Sequence, residues 1–122
     1  MIVLDASAIL AFFVGETGSA AVEAALDQEE TACSAANWSE VAQKMLAHGR
    51  NWPDARVMIL ERGLIIEPIT VEDAEWAAEF WITRRDLSLA DRLCLALANR
   101  LGAEAWTTDR AWGAEPGVRQ LR

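Results

Sequence analysis

Two rhythms of hydrophobic and polar positions alternate along this chain. Ile2, Val3 and Leu4 make an apolar run too short for a helix, and the segment after Asp5, ASAILAFFVG, reads as a helix closing near Gly15. A second helix is predicted from Ser19 to Leu26, a short buried strand at TACSA around Ala32 and Cys33, and a helix over NWSEVAQKMLAHG ending at Gly49. Pro53 opens another helix at the favoured first position, and Gly63 ends it. LIIEPI reads as a strand, and Thr70 with Asp73 forms a capping-box start for a long helix to about Arg84. Ser88 begins SLADRLCLALANRLG, which ends at Gly102; a strand from Ala105 to Thr107, a turn at Asp109 and a last strand from Val118 to Leu121 complete the chain. Strands alternating with helices predict an α/β fold with a mainly parallel central sheet flanked by helices, because parallel neighbours need crossover connections. At 122 residues this is one domain spanning 1–122. In such sheets ligands sit beyond the carboxyl ends of the strands, so residues just after strands are where chemistry is expected.

Four carboxylates occupy such places. Asp5 follows the first strand, Glu40 lies in the first turns of the helix after the second, Asp91 is in the first turn of the Ser88 helix, and Asp109 follows the fourth strand. Each also has a local reading: Asp5 as an N-cap, Glu40 with Asn37 and Asp91 with Ser88 in capping boxes, Asp109 as a turn residue. Together they say more. The Asp91 helix is apolar on nearly every face from Leu93 to Leu101, so it is expected at the centre of the fold. A carboxylate at the mouth of a buried helix, beside other acids, suffers desolvation and like-charge repulsion unless a cation is present. With His48 the only histidine, the oxygen-rich set suits Mg2+ or Mn2+ rather than zinc.

Charge narrows the classes. The chain holds 11 basic and 19 acidic residues, net −8, which excludes a generic cationic nucleic-acid binder. Setting the four candidate ligands aside leaves 15 acids against 11 bases, so about half of the surplus belongs to the site. Cys33 and Cys94, the only cysteines, form neither a disulfide framework nor a CxxC pair. With no basic leader and no uncharged run of spanning length, the expectation is a cytoplasmic protein outside any membrane. A phospho-acceptor receiver domain has similar length, but LIIEPIT offers no Asp after the third strand and Lys44, the only lysine, lies in a helix. A DxD phosphatase fails at Ser7, and there is no GxxxxGK[ST] loop.

VLDASAIL at the N-terminus, SEV at Glu40, LSLADRLCLALA around Asp91 and TTDRAW around Asp109, in this order and spacing across essentially the whole chain, resemble the PIN-domain signatures. The length resembles that of the stand-alone VapC-type toxin ribonucleases of toxin-antitoxin pairs. The resemblance implies a PIN-like fold and a Mg2+- or Mn2+-dependent endoribonuclease. It places Asp5, Glu40, Asp91 and Asp109 at the acidic positions, with Asp5, Asp91 and Asp109 as metal ligands. It further implies an RNA substrate, a cognate antitoxin protein and a homodimer. Ser7 and Thr107 fit the family's small hydroxyl positions, where they would orient water or carboxylates. Arg92 and Arg110, each following a site acid, would either contact RNA phosphates or make structural ion pairs. Trp106 departs from the family's usual smaller aliphatic residue. A PIN-like module that binds RNA or protein without cutting is the alternative.

Apolar residues exceed what single core-facing stripes need. Phe12 and Phe13 are adjacent on one helix, and Trp76 and Phe80 pair at helical spacing while Trp81 and Ile82 point elsewhere. Either this is core packing, or the Phe12–Phe13 helix with the Met45 to Met58 region forms the antitoxin groove and a second toxin chain covers other surplus. Trp38 and Trp52 are expected to pack, with base stacking the lesser alternative.

Overall fold

The run Ile2–Leu4 forms β1, and Asp5 caps the helix that follows, α1 (Ala6–Val14), by accepting from the Ala8 N–H; Gly15, at φ 74°, closes that helix in the left-handed region. The computed structural model describes residues 1–122. Its further elements are α2 (Ser19–Gln28), β2 (Thr31–Ser34), α3 (Ala35–Ala47), α4 (Trp52–Glu61), β3 (Ile65–Glu67), α5 (Val71–Phe80), α6 (Leu89–Leu101), β4 (Glu104–Thr107), a 3-10 turn (Arg110–Trp112) and β5 (Val118–Gln120). All four strand pairings are parallel, in the order β3-β2-β1-β4-β5. The predicted α/β class is therefore the observed one.

The order reverses at the β1–β4 pair: β2 and β3 lie on one side of β1, β4 and β5 on the other. This is the switch point where open parallel sheets present a crevice. Leu4 pairs with Trp106 there, so Asp5 and Thr107 leave the two strands side by side. A receiver-type sheet has the order 2-1-3-4-5, and the observed order excludes that alternative.

Period-two alternation in β1 assigns the faces. Ile2 and Leu4 join a core with residues of α1 to α4, including Ile9, Val22, Val41 and Ile59, whereas Val3 turns to the other face against Cys94, Leu97 and Trp112. Six consecutive residues of α6, Leu93 to Ala98, are buried, which places this helix centrally as its sequence predicts. It packs against β1, β2 and β4, and α3 also touches it, so Glu40 and Asp91 ride on helices in contact. Both cysteines are buried and free, and no single helix is long and apolar enough to cross a membrane.

Several boundaries differ from expectation, three of them with a local cause in capping or side-chain bonding. The α3 helix begins at Ala35, before Asn37, because Ser34 is its N-cap and accepts from the Asn37 N–H at 3.1 Å; the Asn37–Glu40 capping box does not form. The α4 helix starts at Trp52 on the Asn51 cap, leaving Pro53 one position further in, where its missing N–H is still no loss. The α5 helix stops at Phe80 instead of running to Arg84. The Arg84 side chain has other work: it bonds the Trp112 and Ala111 carbonyls and pairs with Glu115 and Asp86, tying this loop to the 3-10 turn.

Candidate active site

Asp5 sits at the floor of the crevice, only 2 % exposed. Its Oδ1 accepts from the Ala8 N–H at 2.8 Å and the Ser7 hydroxyl at 2.7 Å, and its Oδ2 from the Thr107 hydroxyl at 2.6 Å. Thr107 in turn accepts from the Asp109 N–H, and Ser7 from the Thr108 N–H. The two small hydroxyls thus orient the first acid and pin the loop carrying the last one. Burial pushes the Asp5 carboxyl up to about 6; the bonds from Thr107, Ser7 and Ala8 restrain the rise, and Asp91 adds to it.

Asp91 completes a capping box with Ser88, donating its N–H to Ser88 Oγ at 3.1 Å and accepting from the Ser88 N–H at 3.3 Å. Burial raises its carboxyl above the usual range, with Asp109 pushing the same way and Ser88 opposing. Trp112 also favours the charged form, yet its wholly buried Nε1 has no partner in hydrogen-bond geometry. Asp109 caps the 3-10 turn by accepting from the Ala111 N–H at 2.9 Å. Three of the four acids therefore carry both of their readings: each caps a local structure and each faces the crevice.

Asp5, Glu40, Asp91 and Asp109 line one cavity of about 380 Å³, with Ser7 and Ser88 in its wall. Glu40 is held by Asn37, whose Nδ2 donates to Oε2 at 3.2 Å and whose Oδ1 accepts from Ser34. Asn37 is fully buried, and the sequence pattern presented it as a cap partner, not as the residue that positions an acid. Gln43 and Lys44 also line the cavity, Lys44 one helical turn beyond Glu40. That spacing was the available signal for both.

The two arginines fall outside the cavity wall. Arg92 makes no ion pair: it donates to the Ala77 carbonyl at 2.6 Å and to the Leu87 carbonyl at 3.4 Å, fastening α6 to α5. Arg110 forms no ion pair. Trp106 packs under Arg119 and bonds Glu104, while its carbonyl accepts from the Asp5 N–H, so the larger side chain leaves the acid in place.

Every ion pair of the chain lies elsewhere, at Arg62–Asp27, Arg84 with Asp86 and Glu115, and Arg100–Asp73. The four acids share a cavity without a paired counter-charge. No three His, Cys, Asp or Glu side chains are grouped into a ready ligand cage. Burial pushes both thiols up, away from the ligating thiolate form. The oxygen set suits a hard ion that keeps several waters and takes one or two carboxylates directly.

The fold has known relatives. No curated protein sequence matches the chain. Among solved structures, a toxin-antitoxin complex from Klebsiella pneumoniae superposes with TM-score 0.83 at 22% identity, covering 100% of this chain and 98% of that one. VapC20 of Mycobacterium tuberculosis, a sarcin-ricin loop cleaving toxin, gives 0.69 at 19% identity over 89% and 90% of the two chains. VapBC2 of Rickettsia felis, solved bound to a promoter DNA fragment, gives 0.72 at 14% identity over 100% of both. Residues 2–114 match the profile of the PIN domain, nearly the whole length, and the chain belongs to the PIN-domain family.

Proposed function

We propose that this protein is a divalent-metal-dependent endoribonuclease acting as the toxin of a toxin-antitoxin pair in the cytoplasm. The observation that carries the reading is the set of four carboxylates, Asp5, Glu40, Asp91 and Asp109, in one cavity at the sheet's switch point with no ion-pair partner. Membership of the PIN family and likeness to toxins of such pairs support it.

Asp5 and Asp91 would hold a Mg2+ or Mn2+ ion directly, and Asp109 directly or through water. When bound, such an ion supplies an acidified water and offsets charge developing on the phosphate. The chain's own part is to keep the acids in place. Ser7 and Thr107 fix the Asp5 carboxylate, Ser88 fixes Asp91, and Asn37 aims Glu40 into the cavity, where it orients an attacking water. The test is cleavage of single-stranded and loop-containing RNAs in Mn2+ and in EDTA, with expression of the toxin alone in bacteria. Cleavage confined to the metal arm, with growth arrest, is the expected result. RNA binding without cleavage in either arm would favour the non-catalytic module.

The cognate antitoxin is proposed to cover exposed apolar surface on α3 and α4. Phe12 and Phe13 are half-buried against the core, so the free surplus lies instead at Leu46, Val57 and Met58, which are 61%, 49% and 39% exposed. Trp38 and Trp52 meet edge to face at 4.9 Å and pack on the same core, as the packing reading expects. Leu46→Glu with Met58→Glu is expected to weaken antitoxin binding at least about tenfold in a titration, as loss of an apolar anchor does, while free toxin still cuts RNA. Unchanged affinity would place the interface elsewhere. A homodimer is part of the proposal, with exposed Trp81, Ile82 and Leu89 as the surface a second copy would cover; sedimentation of the purified chain reads it directly.

A further inference from the structure

The acidic cavity shares a wall with a larger one. Leu10 and Lys44 line both, and the neighbour, at about 470 Å³, is the most capacious in the molecule. Its polar lining is mainly basic: Lys44, His48 and Arg50, against a single acid, Glu16. The only lysine and the only histidine of a chain with net charge −8 thus meet at one place. The His48 Nδ1–H donates to the Lys44 carbonyl at 2.8 Å, which holds the ring at this wall and leaves Nε2 free.

Most of the other cations are engaged. Arg62, Arg84 and Arg100 are in ion pairs, Arg92 is spent on carbonyls, and Arg85 and Arg119 lie over the Trp81 and Trp106 rings. Of the side chains without such partners, Lys44 and Arg50 both stand at this one cavity. A polyanion entering a site of four carboxylates is repelled unless its neighbouring phosphates are neutralised close by. Lys44 is on the shared wall, about one helical turn, or roughly 6 Å, along α3 from Glu40.

We propose that this second cavity is the phosphate subsite for the RNA strand beside the scissile bond, with Lys44 and Arg50 each holding a backbone phosphate and Leu10, Val14 and Met45 offering an apolar floor to the attached nucleoside. The proposal rests on the ribonuclease reading and adds the direction in which the substrate leaves the acids: along α3 toward its C-terminus.

The experiment compares Lys44→Gln/Arg50→Gln with a charge-matched control, Arg56→Gln/Arg122→Gln, both in an Asp5→Asn background so that a fluorescent single-stranded oligoribonucleotide is not consumed. Anisotropy titrations over a range of NaCl concentrations give Kd and its salt slope. Each lost single-strand phosphate contact removes about 0.7 from the slope of log K against log salt, so the Lys44/Arg50 variant should lose about 1.4 and bind roughly tenfold or more weakly. The control should keep the parent slope. In the cleaving chain the same pair of changes should raise KM and leave kcat within about twofold, as expected for uniform binding. Unchanged Kd and slope, or an equal loss in the control, overturns the subsite. Retained RNA binding with lost antitoxin affinity overturns it in favour of a protein groove. A wild-type chain that neither binds nor cuts RNA overturns the ribonuclease reading as well, whereas one that cuts while the variant is unimpaired overturns this inference alone.

Discussion

Asp5→Asn is expected to abolish RNA cleavage, by on the order of 10³-fold or more given what one lost electrostatic contact alone costs, and at the same time to raise the melting temperature of the metal-free protein at pH 7. The two effects have one cause. The carboxylate is buried and pushed up to about 6 from 3.8, so keeping it ionised at neutral pH costs up to about 3 kcal/mol of folding free energy. Asparagine keeps an oxygen for the Ala8 N–H and the Ser7 hydroxyl, and Thr107 can turn its hydroxyl to accept. Part of the gain is spent desolvating the amide, leaving about 1–2 kcal/mol, or several degrees for a chain of this length. An inactive variant that melts well below wild type would show that Asp5 matters as a helix cap.

The sign of the pH dependence follows. Because the folded-state pKa lies above the unfolded value, the folded metal-free protein binds the extra proton between about pH 4 and 6. Stability from this group is therefore highest in acid and falls as pH rises through about 6. Metal-free wild type should gain on the order of 1 kcal/mol relative to Asp5→Asn on going from pH 7 to pH 5. Asp91, also raised by burial, adds a contribution of the same sign that both proteins share. Asp73 and Asp86, lowered beside Arg100 and Arg84, lose their pairing only below the usual carboxylate range and do not confuse this window. A flat difference between the two melting curves over pH 5–7 would contradict the burial account of Asp5.

The elements and the four acids were legible because the signals are local. Ile2–Leu4 before Asp5, the Ser88–Asp91 box, and Gly15 and Gly102 as left-handed helix ends are short-range rules, and the structure uses each of them. What escaped is nonlocal. Arg84 reads as the tail of a helix because its partners, Glu115 and the Trp112 carbonyl, are 31 and 28 residues away. Arg92 and Arg110 attract notice by following an acid, yet Arg92 is taken by carbonyls of α5 and the next loop. Asn37 was legible only as a cap partner, since knowing that it aims Glu40 requires knowing that Ser34 already caps the helix. Lys44 reads only as the lone lysine within a helix, because it takes the fold to lay that face of α3 along the crevice.

Divalent ions are expected to raise the melting temperature of wild type by on the order of 5–15 °C. An ion that binds only the folded state adds about 2.7 kcal/mol at roughly 100 times its dissociation constant, and a domain of this size converts that into several degrees or more. The gain should be large here because an ion would offset what penalises the charged carboxylates in the metal-free site: burial raises Asp5 and Asp91, and Asp91 adds to the first and Asp109 to the second. Asp91→Asn should behave oppositely in the two states. In EDTA it should melt at or above the wild-type temperature, since the amide oxygen can still accept from the Ser88 N–H and preserve the cap while one unit of like charge is gone. In excess Mn2+ it should show only a small shift, because one ligand has been lost. Four melting scans decide the matter. A wild type indifferent to Mn2+, together with an Asp91→Asn chain that melts much lower in EDTA, would make Asp91 a helix cap and leave the cavity without its metal.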